Sequence, residues 1–226
     1  MSSTNRGGQR SPADFYPTPA WCVRRVLEAT QLPGGIWLEP CAGQGAIVRA
    51  TQQLRQDVSW RALEIRASCV SDLAQCLPRR NIEIADFFQW RPDRRYDVLM
   101  TNPPYGSAEQ FLTVGLDVAA HVVLLLRLNF LASARRAHLM RSRPPDVYVL
   151  PNRPSFSGRG TDSVEYAWFH WGPGTRDRGS IVVLPPTAVE ERSSIGTSTS
   201  SSASPPTQRD QRPNNRLQRT ALPRRS

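Results

Sequence analysis

The chain contains no lysine: all 29 of its basic residues are arginine. A formal net charge of +10 favours a polyanionic partner in general, because neutralised phosphates release counterions. An all-arginine set, however, reflects coding bias as much as selection for such a partner. Cysteine and histidine are also scarce, at four and three. Cys22, Cys41, Cys69 and Cys76 form no CxxC pair, so neither a zinc site nor a disulfide framework is expected; reduced, mostly buried thiols and no metal are. The longest apolar run, Val122 to Leu126 continuing through Leu128 to Leu131, is interrupted by Arg127 and Asn129 and falls far short of a bilayer span. The first twenty residues hold no apolar h-region, so no secretory signal is expected and the cytoplasm is the expected compartment.

What the chain has is alternation. Short apolar runs alternate with helix-length segments in the pattern of a βαβ sheet. Strands are expected at Ile36 to Glu39, Trp60 to Glu64, Ile82 to Ala85, Asp97 to Thr101, His121 to Leu126, Val147 to Leu150 and Glu165 to Trp171. Helices are expected at Pro19 to Thr30, Ala46 to Leu54, Ala67 to Leu77, Ala108 to Ala119 and Leu131 to Arg141. Residues 1–13 read as a flexible start and 14–184 as one catalytic domain. Residues 185–226, rich in Ser, Thr, Pro and Arg without aromatics, read as a disordered tail, because they bury too little apolar area to offset their ordering entropy. No internal repeat is visible.

Three segments carry the first chemistry. GIWLEPCAGQGAIVRA is a strand ending in Glu39, a loop with Gly43 and Gly45, and a helix. Such glycines let a ligand approach the backbone at the carboxyl end of the first strand, where open α/β sheets bind nucleotide-like cofactors. No Gly-Lys-Ser/Thr follows, so this is not a P-loop. RALEIR places Glu64 at the end of the next strand, at the spacing where a carboxylate accepts both ribose hydroxyls. EIADFFQW places Asp86 after the third strand, where it is able to accept from an adenine amine.

The most informative segment is YDVLMTNPPYG, with Asn102, Pro103, Pro104 and Tyr105 directly after an apolar strand. The prolines stop the strand and fix a rigid turn, so that the Asn102 side-chain oxygen and the Pro103 carbonyl converge on one small group. That arrangement suits a poorly nucleophilic amine such as adenine N6, whose lone pair is delocalised into the ring. Two acceptors bind its two hydrogens and favour a pyramidal nitrogen. Tyr105 is placed to stack on a base taken out of its duplex.

In order and spacing these segments resemble the amino-methyltransferases, specifically the adenine-N6 DNA methyltransferases of bacteria and phages. The resemblance covers roughly residues 16 to 171. It implies a Rossmann-like S-adenosylmethionine-dependent methyltransferase fold, a mostly parallel seven-stranded α/β sheet with helices on both faces. It implies S-adenosyl-L-methionine as cofactor and DNA as partner. It also implies cofactor contacts from Tyr16, Pro17 and Thr18 of DFYPTP, from Glu39, Cys41, Ala42, Gly43 and Gly45 of EPCAGQG, from Glu64 at the ribose, and from Asp86 and Phe87 at the adenine ring. Asn102 to Tyr105 would hold the reactive amine. VLPNRPSFSGRG resembles the family region in which an aromatic packs on the flipped base, pointing to Phe156 as substrate-binding, with Arg153 and Arg159 flanking it as phosphate ligands; a core or loop role for Phe156 stays open.

Little sequence is left for a separate target-recognition domain; only Asn129 to Arg159 offers a substrate-reading surface. With no nuclease motif, an unpaired methyltransferase of a phage or mobile element is expected. Trp168, Phe169 and Trp171 are expected in the core. The expected reaction is direct in-line transfer without a covalent intermediate, Cys41 lying in the cofactor loop and not beside the NPPY turn. Three alternatives stay open: methylation of a protein glutamine amide, which poses the same problem of a delocalised nitrogen; methylation of adenine in RNA; and a catalytically silent binding module.

Overall fold

The computed structural model describes residues 17–156, 163–175 and 178–193. Helix α1 (Ala20–Ala29) precedes strand β1 (Gly35–Glu39), and α2 (Ala46–Gln52) leads to β2 (Val58–Glu64). A 3-10 turn and the short α3 (Val70–Leu73) lead to β3 (Ile82–Ile84), followed by β4 (Tyr96–Thr101), α4 (Ala108–Val118) and β5 (Ala119–Arg127). Beyond α5 (Ala137–Ser142) come β6 (Asp146–Leu150), β7 (Tyr166–Trp171), β8 (Ile181–Val183) and α6 (Val189–Ser193).

The strands form one sheet in the order β3-β2-β1-β4-β5-β7-β6-β8. The first five are parallel, β7 runs antiparallel to both β5 and β6, and β8 pairs parallel with β6. All seven expected strands are present, but the sheet has eight strands and is mixed. The missed strand, β8, is three residues long with every residue exposed, so it carries neither alternation nor burial to betray it. Its pairing with β6 is flanked by hydrogen bonds from the Ser180 amide to Asp146 (2.8 Å) and from the Leu184 amide to the Val149 carbonyl (3.0 Å).

Both faces of the sheet are covered, which explains why the parallel strands read as unbroken apolar runs. Successive side chains of a strand point to opposite faces. Trp37, Val123 and Leu125 join one core with Trp21, Val26 and Ile47, whereas Leu38, Val122 and Leu124 join the other with Phe111 and Leu112. Trp168, Phe169 and Trp171 are buried in these cores.

Residues 185–193, expected in the tail, are tied to α1. The Arg25 side chain donates to Thr187 Oγ1 (3.0 Å) and pairs with Glu191 (3.2 Å). Expectations for residues 1–16 and 194–226 lie outside the described residues. Among the described residues no helix is long and apolar enough to cross a membrane.

The chain reverses direction across the sheet between β1 and β4, which are neighbours with crossovers leaving to opposite sides. In an open α/β sheet the ligand crevice opens at the carboxyl ends of strands at that switch point. The GQG loop follows β1 and the NPPY turn follows β4, so the two best motifs of the sequence meet there.

Candidate active site

The loop after β1 is built on two glycines. Gly43 (φ 53°) and Gly45 (φ 82°) both occupy the left-handed region, which a side chain disfavours by about 1–2 kcal/mol. The Ala42 amide reaches across to the Leu63 carbonyl (2.9 Å) and the Gly45 amide closes the turn on Ala42 (2.8 Å). The loop is thereby fastened to β2, and Gly43 N–H donates to Glu64 Oε2 at 2.6 Å.

Two carboxyl groups end β1 and β2, and they differ in character. Glu39 is buried, with Oε2 lacking a hydrogen-bond partner. Burial first, and then the neighbouring Glu64 charge, push its carboxyl well above the ordinary range. For Glu64, burial also acts to raise the carboxyl, but it is outweighed by the Arg66 guanidinium and by the main-chain amides of Arg66 and Gly43, which hold it below the ordinary range. Arg66 donates to Glu64 Oε1 through both its amide (3.0 Å) and Nε (2.8 Å).

The third acid, Asp86, follows β3. Its Oδ1 accepts from the Phe88 amide (3.0 Å), and its carbonyl accepts from the Gln89 and Trp90 amides. The Phe87 ring stacks on Phe111 with centres 5.3 Å apart, and the residue is 3% exposed. The apolar ring turns inward because it gains from burial against α4.

Three segments converge at the NPPY turn. Asn102 Nδ2 donates to Thr18 Oγ1 at 3.2 Å, and Thr18 is buried. The amide nitrogen of Asn102 is thus engaged by Thr18, and its Oδ1 is left as the acceptor. Pro103 is buried and Pro104 exposed; the Pro104 carbonyl accepts from Ser107 (2.9 Å) and starts the turn carrying Tyr105. Cys41 is not remote from this turn. Its Sγ lies 2.8 Å from Thr101 Oγ1 and 3.6 Å from the Asn102 carbonyl, because β1 and β4 are adjacent. Burial pushes its thiol well up, which leaves no thiolate for nucleophilic attack.

Of the DFYPTP residues, Pro17 is exposed and Thr18 buried at the turn; Tyr16 lies outside the described residues, as does Arg159. Phe156 sits edge-on to Tyr166 at 5.1 Å, and Tyr105 packs on the same Tyr166 at 5.6 Å. Phe156 and the NPPY tyrosine therefore share one aromatic base. Arg153 ion-pairs with Glu165. Sequence reasoning missed Arg127, whose guanidinium lies 4.9 Å from the Tyr105 ring centre, since an arginine ending an apolar strand gives no local sign of its neighbour. Among the described residues no group of three or more metal-ligating side chains occurs.

No family model matches the sequence, and no curated protein does. Solved structures do match. The chain is similar to the "putative RNA methyltransferase" of Pyrococcus horikoshii, at 14% identity and TM-score 0.55, covering 75% of this chain and 94% of that one. It is similar to the modification subunit of a "putative type I restriction enzyme" from Vibrio vulnificus, at 16% identity and TM-score 0.55, covering 80% of this chain and about half (52%) of that one. It is also similar to a dimethyladenosine transferase from Plasmodium falciparum, at 18% identity and TM-score 0.51, covering 70% and 62%. The chain therefore has a methyltransferase-like α/β fold with a mainly parallel sheet.

Proposed function

We propose that this chain transfers the methyl group of S-adenosyl-L-methionine to the N6 amine of adenine in DNA by direct in-line displacement. One observation carries the reading: the side-chain nitrogen of Asn102 is bound by Thr18, which leaves Oδ1, together with the Pro103 carbonyl, as acceptors for an incoming amine. Two acceptors bind the two hydrogens of an amine and oppose delocalisation of its lone pair.

The residues at the ends of β1 and β2 fit the cofactor. Glu39 carries a buried oxygen without a partner, Gly43 and Gly45 turn the loop through the left-handed region, and Glu64 and Asp86 are carboxylates suited to ribose hydroxyls and to an adenine amine. The resemblance of DFYPTP and EPCAGQG to the family's cofactor segments assigns Pro17, Thr18, Cys41 and Ala42 to the methionine end. When bound, S-adenosylmethionine supplies an electrophilic methyl group on a sulfonium. Tyr105 and Phe156 flank Tyr166 and offer ring faces to an extruded base. Cys41, held protonated, takes no covalent part.

A nucleic-acid substrate is supported by the relatives of like fold, which are named for RNA methylation, restriction-modification and dimethyladenosine transfer. DNA is favoured by the resemblance of DFYPTP and NPPY, in that order, to adenine-N6 DNA enzymes. The test is transfer from radiolabelled S-adenosylmethionine to unmethylated duplex DNA, to RNA and to a glutamine peptide, with nucleoside analysis of the product. Labelled N6-methyladenine in DNA, abolished in Asn102→Ala with cofactor binding retained, is the expected result. Label only in RNA or only in peptide overturns the DNA assignment, and cofactor binding without transfer to any of them overturns the enzyme assignment.

A further inference from the structure

Arg127 closes β5 and stands in register opposite Tyr166 of β7. Its guanidinium lies against the Tyr105 ring, 4.9 Å from its centre, and its Nε is shut off from solvent without a hydrogen-bond partner among the described residues. No described carboxylate comes within ion-pairing distance of it, whereas Arg66, Arg135 and Arg153 each pair with an acid. A buried Nε donor without a partner is costly to keep. The Arg127 side chain is only partly buried, and a counter-charge that docks on it from outside offsets that cost.

The chemistry of that counter-charge follows from the group and its place. A guanidinium presents a planar fork of donors matched to a two-oxygen anion, phosphate above all. The guanidinium sits over the ring of Tyr105, the tyrosine of the same NPPY turn that carries Asn102. We propose that Arg127 binds the phosphodiester adjoining the adenine held at Asn102, so that the site takes adenine within a polynucleotide and not a protein amide. This rests on the adenine reading of the turn and adds the polymer-recognising residue to it.

The experiment compares the full chain with R127Q and R127K in binding labelled, unmethylated duplex DNA and single-stranded RNA over a salt series, with cofactor binding as the check of folding. A phosphate contact contributes about one unit to the slope of log affinity against log salt. R127Q is therefore expected to lower the slope by about one and the affinity by roughly tenfold, whereas R127K keeps the slope. A second measurement uses the wild-type chain alone: the oligonucleotide is expected to protect Arg127 from an arginine-directed dicarbonyl reagent, read by peptide mass. Adenine methylation with an unchanged R127Q slope, or with Arg127 unprotected, overturns the Arg127 assignment and leaves the proposed reaction standing. Absence of oligonucleotide binding, with a glutamine peptide methylated, overturns both. Protection by RNA alone supports Arg127 and removes only the choice of DNA.

Discussion

Thr18 accepts a hydrogen bond from the side-chain nitrogen of Asn102 across 3.2 Å, although 84 residues separate them in the chain. The contact fixes which end of the Asn102 amide faces the crevice. Thr18→Val removes the acceptor at nearly constant volume, and misplacement of a reacting group by about an ångström costs on the order of 10²-fold. The expected result is a kcat lowered about 10- to 100-fold with a smaller loss of cofactor affinity, and recovery in Thr18→Ser. A loss confined to cofactor affinity would assign Thr18 to cofactor binding alone.

Cys41 supports the same turn without reacting in it. Its thiol, held protonated by burial, bridges Thr101 and the Asn102 carbonyl. Cys41→Ala is expected to retain transfer within roughly tenfold, the scale of a lost neutral hydrogen bond of about 1 kcal/mol. Complete loss of activity in a folded Cys41→Ala protein would contradict direct displacement.

Gly45 begins α2 with φ at 82°, and a Cβ there would lie 2.9 Å from Cys76 Sγ and 3.1 Å from Leu73 Cδ2. Gly45→Ala combines left-handed strain of about 1–2 kcal/mol with this crowding. A fall in Tm of roughly 2–8 °C is expected by thermal unfolding. An unchanged Tm would show that the loop adapts freely.

His121 and His170 form a paired site between β5 and β7, with Nδ1 of one and Nε2 of the other 2.9 Å apart. Burial first, then the neighbouring His121, lower the His170 pKa from 6.5 to about 4; burial likewise lowers His121, with Asp97 and Asp146 opposing. A folded pKa below the unfolded one means the unfolded chain takes up protons first as pH falls. Stability is therefore full above pH 6.5 and is lost between there and about 4, by at most about 3 kcal/mol for His170. Urea midpoints should fall from neutral pH to about pH 5 more steeply in the wild type than in His170→Asn; parallel curves would remove the pair from the acid response.

The sequence by itself determined seven of the eight strands of the sheet and the two loops proposed to build the site. Their signals are local: apolar runs for strands buried on both faces, glycines where the backbone turns left-handed, and prolines where β4 must stop. Glu39 and Glu64 end β1 and β2, and Asp86 and Asn102 follow β3 and β4; the carboxyl ends of strands in an open α/β sheet point toward one crevice. Only the tertiary structure decided what stands beside them. Strand order, which no local pattern encodes, makes β1 the neighbour of β4 and so brings Cys41 to the NPPY turn. Packing against α4 turned Phe87 inward, and pairing of β5 with β7 set Arg127 over Tyr105 and Tyr166 beneath it. β8 exists only because β6 offers an edge to three exposed residues that have no periodicity of their own. Contacts of this kind depend on which strands lie side by side, and that order is settled by burial of the whole sheet, not by any segment of the chain.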